Sequence, residues 1–144
     1  MTAKGLEDEG AFLAFSEFSA RQEKGQNYCL FMGPDMVATV CVKKEPTPVV
    51  YQPLMPAGEY WWIYALSTRR SCAGKGYGAA TVERAVAHLD AEGVGEVYLD
   101  CLTGNGFLPA FYGQLGFKLL GRIMADEGGE QLVELNLLGK KWRL

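Results

Sequence analysis

The chain is 144 residues long, half hydrophobic at 49% and ordinarily charged at 22%, which fits one domain with a real core spanning residues 1–144. The formal net charge of −3 argues against a broad nucleic-acid surface, which needs clustered Lys and Arg. No apolar run approaches the ~20 residues that span a membrane, and the polar, acidic start "MTAKGLEDEG" lacks the apolar core of a signal peptide. The four cysteines (29, 41, 72, 101) are spread without a C-x-x-C pair, and the single histidine is His88. This pattern is read as reduced thiols in a cytoplasmic protein, with no metal site.

In chain order, apolar residues Leu6, Phe12, Leu13, Phe15 and Phe18 among charges predict a helix over 6–23. "NYCLFMG" and "MVATVCVKK" predict two strands, joined as a hairpin by the "GPD" turn at 33–35. Four of the six prolines (46, 48, 53, 56) then fall in "EPTPVVYQPLMPAGEY", which predicts a long surface loop. "YWWIYALS", 60–67, predicts a strand buried on both faces, and Val82, Ala85, Val86 and Leu89 form one helical stripe that ends at Gly93. "EVYLDC" predicts a strand, "GFLPAFYGQLG" a short helix, "FKLLGRI" a strand, and "QLVELNLLG" an exposed final strand after a turn at Gly128–Gly129. His88 shares a polar helical face with Arg84 and reads as a surface residue. The order predicts a mixed α/β (α+β) architecture: one sheet, a parallel strand–helix–strand unit at its centre, and helices on both faces.

The informative stretch is "SCAGKGYGAA", 71–80, between the aromatic strand and the helix. Backbone amides of such a loop and of a helix N-terminus favour an anion. A P-loop needs Ser or Thr after its lysine, but Lys75 is followed by Gly76. A dinucleotide fingerprint needs a third glycine where Ala79 stands.

The segment "LSTRRSCAGKGYGAATVERAV" resembles motif A of the GNAT superfamily of N-acetyltransferases, [Q/R]-x-x-G-x-[G/A], with Ala73 at the Gln/Arg position. After one helix and one strand, "TGNGFLPAFYGQLGFK" resembles the family's second block, with Asn105, Ala110, Phe111, Tyr112, Leu115, Gly116 and Phe117 in register. The resemblance covers about residues 58–122. Ala73 lacks the family's usual side chain, Cys72 takes a place often aromatic, and no strand is evident before the first helix.

The resemblance implies a mostly antiparallel sheet with a central parallel pair, acetyl-CoA as cofactor, and acetyl transfer to a primary amine by direct attack. It places the pyrophosphate on the amides of Gly74, Lys75, Gly76, Tyr77, Gly78 and Ala79 beside Ala73, and the pantetheine arm on backbone groups of Leu66 and Thr68. Lys75 either adds charge there or is simply solvated. Tyr112 is implied as the acid for the coenzyme A thiolate, whose pKa lies near ~8.5, and Asn105 either bonds the pantetheine or caps the helix. Glu59 is implied as the general base, with Asp100 as the other candidate, while Tyr60, Trp61, Trp62 and Tyr64 divide between core and acceptor wall. The expected partner is a small-molecule or peptide amine, with no nucleic acid and no membrane. A short N-terminus and an exposed final strand fit a homodimer, an arrangement frequent in the family. The competing readings are a non-catalytic acyl-CoA sensor on the same fold and a glycine-rich nucleotide-binding domain.

Overall fold

The computed structural model describes residues 13–17, 25–72, 74–104, 106–126 and 132–143. Seven strands and two α-helices are found among them: β1 (Leu13–Glu17), β2 (Gly25–Met32), β3 (Asp35–Pro46), β4 (Glu59–Thr68), α1 (Tyr77–Ala91), β5 (Glu96–Leu102), α2 (Phe107–Gln114), β6 (Lys118–Asp126) and β7 (Leu132–Lys141). The strand order is β1-β2-β3-β4-β5-β7-β6. The pairs β1–β2, β2–β3, β5–β7 and β6–β7 are antiparallel, and β4–β5 is parallel with Trp62 opposite Tyr98. The mixed, mostly antiparallel sheet and its parallel β4–α1–β5 unit therefore stand as the sequence implied.

Two expectations about the strands fail. Residues 13–17 of the expected first helix form β1, with Leu13 opposite Met32. Five residues are too few for periodicity to tell a strand from a helix, and pairing with β2 decides between them. The rest of that helix, and the turn at 128–129, lie outside the described residues. The final strand is not exposed: β7 inserts between β5 and β6, and Leu135, Asn136, Leu137 and Leu138 are buried. The strand that ends the sheet there is β6, with Leu119, Leu120 and Met124 exposed.

Contacts group the chain into two compact units, residues 1–43 with 63–94, and residues 44–62 with 95–144. In the first unit, β2 and β3 meet at a two-residue turn in which Gly33 takes φ +58°, a conformation that glycine adopts without penalty. Helix α1 buries Tyr77, Ala80, Thr81, Val82, Ala85 and Leu89, and Val94 N–H bonds back to the Leu89 carbonyl beyond Gly93 at φ +90°. Tyr77 and Ala80 pack with Leu30, Val37 and Ala38. His88, expected at the surface, rests its ring 5.1 Å from that of Tyr28, with Nε2 3.5 Å from the Glu92 carboxylate.

In the second unit the proline-rich segment is not a loose surface loop. Its prolines end β3 at Pro46 and open a 3-10 turn, Val49–Tyr51, behind Pro48. Thr47 N–H and its hydroxyl both reach the Gly58 carbonyl, at 2.8 and 3.1 Å, which closes the segment on itself. Tyr51 and Met55 thereby enter a core with Trp62, Tyr98, Leu135 and Leu137. Burying each such side chain contributes about 1.5–3 kcal/mol toward holding the segment in place.

Candidate functional site

The site elements of the first unit follow one another in sequence. Strand β4 ends with Leu66 half-buried and Ser67 and Thr68 exposed. Trp62 and Ile63 of this strand are buried, whereas Tyr64 is 37% exposed with the Lys43 ammonium 5.5 Å from its ring centre. The Arg69 amide bonds to the Val37 carbonyl at 2.9 Å. Around that bond lies a cavity of about 330 Å³ lined by Met36, Val37, Ala38, Thr39, Ser67, Thr68 and Arg69.

A 3-10 turn, Arg70–Cys72, then leads into the glycine loop. Gly74 and Gly76 take φ +80° and +79°, whereas Gly78 is helical, so the three alternating glycines have different tasks. A Cβ at Gly74 would meet nothing within 4 Å; its requirement is backbone conformation, not space. Lys75 N–H is turned inward to the Cys72 carbonyl at 3.3 Å, and the Lys75 side chain is exposed. Gly76 is the N-cap of α1; it has no side-chain cap, and the first turn holds no acidic residue. The amides of Gly76, Tyr77, Gly78 and Ala79 form the N-terminal turn of α1, where the helix dipole favours an anion. The Tyr77 ring is buried beneath them, with Cys72 packed against its cluster, so this turn is anchored from below. A helix N-terminus behind two left-handed glycines fits an anionic phosphate group. Ala73 lies outside the described residues.

In the second unit, Tyr112 of α2 is 5% exposed, with its ring edge-on to Phe111 at 5.0 Å and Phe117 at 5.4 Å. Burial, and secondarily the neighbouring Cys101, pushes its phenol up to about 12. The hydroxyl stays protonated across the whole neutral range. Cys101 is itself buried, and its thiol is pushed up by desolvation. Asn105 lies outside the described residues.

The two candidate carboxylates occupy opposite ends of the parallel pair. Taking the Trp62–Tyr98 register as origin, Glu59 lies three residues toward the N-terminal end and Asp100 two toward the C-terminal end. At ~3.3 Å per residue these positions are roughly 16 Å apart along the strands. Glu59 is exposed. Asp100 accepts a hydrogen bond from the Tyr51 hydroxyl at 2.5 Å.

Sequence reasoning missed Tyr51, because the surrounding prolines signal a loop and no periodicity marks the residue as internal. It also missed that Trp62, 3% exposed, has its indole Nε1–H buried without a hydrogen-bond partner among the described residues. Trp62 stacks on Tyr51, with ring centres 6.0 Å apart at 25°. Tyr60 and Tyr98 complete the aromatic group, and the Tyr98 hydroxyl donates to Glu96. Among the described residues no group of three or more His, Cys, Asp or Glu side chains converges as a metal site would need, and no disulfide joins the four cysteines. No helix among them is long and apolar enough to cross a membrane.

Residues 3–117 match the family model for the acetyltransferase (GNAT) family. No curated protein matches the chain. Among solved structures, the ribosomal-protein-S18-alanine N-acetyltransferase of Escherichia coli is 16% identical, with 88% of this chain and 74% of that one covered at a TM-score of 0.66. NAA60 of Arabidopsis thaliana in complex with acetyl-CoA is 12% identical, covering 90% and 98% at 0.70. A Bacillus subtilis acetyltransferase in complex with CoA is 14% identical, covering 91% and 99% at 0.69. These structures share the fold of this chain, and the family model spans both of the blocks that carry the resemblance. The chain belongs to the acetyltransferase (GNAT) family and is an N-acetyltransferase.

Proposed function

We propose that the protein transfers the acetyl group of acetyl-CoA directly to a primary amine of a small molecule or peptide. The observation that carries this reading is the uncapped N-terminus of α1 behind Gly74 and Gly76 at positive φ, in a chain of this family. The amides of Gly76, Tyr77, Gly78 and Ala79 hold the pyrophosphate, with Gly74 shaping the loop and exposed Lys75 facing the same anion across solvent. Leu66 and Thr68 pair through their backbone with the pantetheine arm, and Asn105 serves the same arm. Bound there, the cofactor supplies the thioester, whose carbonyl a main-chain N–H polarises.

Tyr112 is the group that meets the departing sulfur. Held near 12, its phenol is a weaker acid than a thiol of about 8.5 by roughly three orders of magnitude. Its contribution is therefore a hydrogen bond that stabilises the leaving thiolate, with the phenol keeping its own proton. For the base, Asp100 is favoured over Glu59. Asp100 stands toward the carboxyl ends of the parallel strands, where sheets of this kind bind ligands, and it is held by Tyr51.

Incubating the protein with acetyl-CoA and polyamines, aminoglycosides, amino acids and peptides, while measuring free thiol, tests the proposal. Thiol release that depends on an amine is expected. Inertness across the panel would leave only cofactor binding, the behaviour of a sensor on this fold.

A further inference from the structure

We propose that Tyr51, carried by the proline-rich segment, is the residue that positions Asp100 for catalysis; this rests on the reading of Asp100 as base. Tyr51 is 2% exposed, yet its hydroxyl reaches the exposed carboxylate of Asp100, 49 residues away in sequence, at 2.5 Å. A buried tyrosine has little rotamer freedom, and this ring is fixed further. It stacks on Trp62 at 25° and packs with Met55, Leu135 and Leu137. The segment that delivers it is closed by Thr47 on the Gly58 and Pro56 carbonyls. The ends of the 3-10 turn bond internally, with Tyr51 N–H to the Pro48 carbonyl at 2.9 Å and Leu54 N–H to the Tyr51 carbonyl at 2.9 Å. Every element needed to hold one hydroxyl at one place is present, and that hydroxyl is spent on Asp100.

The consequence for the chemistry is specific. An exposed carboxylate rotates freely, and its proton-accepting lone pairs sample many directions. The Tyr51 O–H occupies Oδ2, which leaves Oδ1 as the acceptor for the incoming ammonium. In the step proposed, one ammonium N–H proton passes to Oδ1, and the nitrogen lone pair forms the N–C bond to the thioester carbonyl carbon. The C–S bond then breaks with its electron pair on sulfur, the nitrogen gives up its second proton to that thiolate as the neutral amide forms, and Asp100 returns the first proton to solvent. Tyr51 is unchanged throughout and touches no reacting atom; it is a positioning residue.

The experiment compares wild type, Tyr51→Phe, Asp100→Asn and the double variant on three acceptors: spermidine, an alanine-initiated octapeptide and hydroxylamine. The first two enter as ammonium ions at neutral pH, whereas hydroxylamine enters neutral and needs no base. Tyr51→Phe keeps the ring and its stacking, so its melting temperature should stay near that of wild type. Its kcat with the better ammonium acceptor should fall roughly 10- to 100-fold, with KM changed less than about threefold. The loss should shrink to about threefold or less with hydroxylamine, and Tyr51→Phe should add less than about threefold in the Asp100→Asn background. An undiminished kcat in Tyr51→Phe, beside a large loss in Asp100→Asn, overturns the positioning role and leaves Asp100 as base. Full activity of Asp100→Asn overturns the base reading itself. Equal losses on ammonium and neutral acceptors make Tyr51 a structural residue only, and a wild type inert on all three overturns both readings.

Discussion

At the scale of single residues, the sequence marked positions whose backbone matters and overlooked one whose hydroxyl does. Gly76 was legible because a helix start preceded by alternating glycines has few physical meanings, and its φ of +79° now gives the reason. Gly76→Val should lower coenzyme A affinity at least about tenfold by calorimetry, since an L-residue in this region costs roughly 1–2 kcal/mol before its branched side chain is placed. Unaltered affinity would remove the cradle from that turn. Tyr112→Phe should lower kcat by roughly 10²- to 10³-fold with coenzyme A affinity retained; parallel losses in both would mark it as packing alone. Its pH behaviour has a definite sign. The folded phenol is raised to about 12 from an ordinary 10, so the folded state holds this proton more tightly than the unfolded chain. The stability it contributes is complete below pH 10 and is lost as pH rises from 10 through about 12. Melting temperatures between pH 9 and 12 should fall less steeply in Tyr112→Phe than in wild type.

At the scale of elements, α1 was readable because its apolar stripe has one helical period, β5 because of its short apolar run, and Gly93 marks the stop between them. The first segment was not readable. A five-residue stretch such as "LAFSE" is too short to carry a decisive period, and its ladder with β2 sets the extended form. The proline-rich segment deceived for a different reason. Prolines report that no ladder can form there, and say nothing about whether the turns between them are buried. Tyr51→Ala should therefore cost about 3–5 kcal/mol in urea unfolding, the cost of truncating a buried aromatic, although loop truncations are ordinarily near neutral. A loss under about 1 kcal/mol would show that the segment is not part of the core.

At the scale of the whole molecule, strand order is the property that sequence left open. "FKLLGRI" and "QLVELNLLG" read as successive strands, and nothing in either says that the second lies inside the first. Close packing records the choice: a Cβ on Gly139 of β7 would stand 2.7 Å from the Tyr98 ring of β5, its register partner. Gly139→Ala should destabilise by about 1–3 kcal/mol, because the ring or the strand must move to admit one methyl. A neutral effect would mean that the β5–β7 contact is looser than described.

What the sequence determined by itself was local: helix stops, the hairpin turn, a glycine loop at a helix N-terminus, and the two blocks by which the family is known. Each depends on residues within a few positions of one another, where covalent geometry restricts the choices. The tertiary structure alone decided which strand lies beside which, that "LAFSE" is extended, and that a tyrosine among prolines turns inward to hold Asp100. Those outcomes rest on contacts between residues far apart in the chain, 49 positions for Tyr51 and Asp100, and such contacts leave no periodic trace in either segment. The glycine cradle was thus visible before folding, whereas the carboxylate proposed to act on the amine acquires its fixed place only in the folded core.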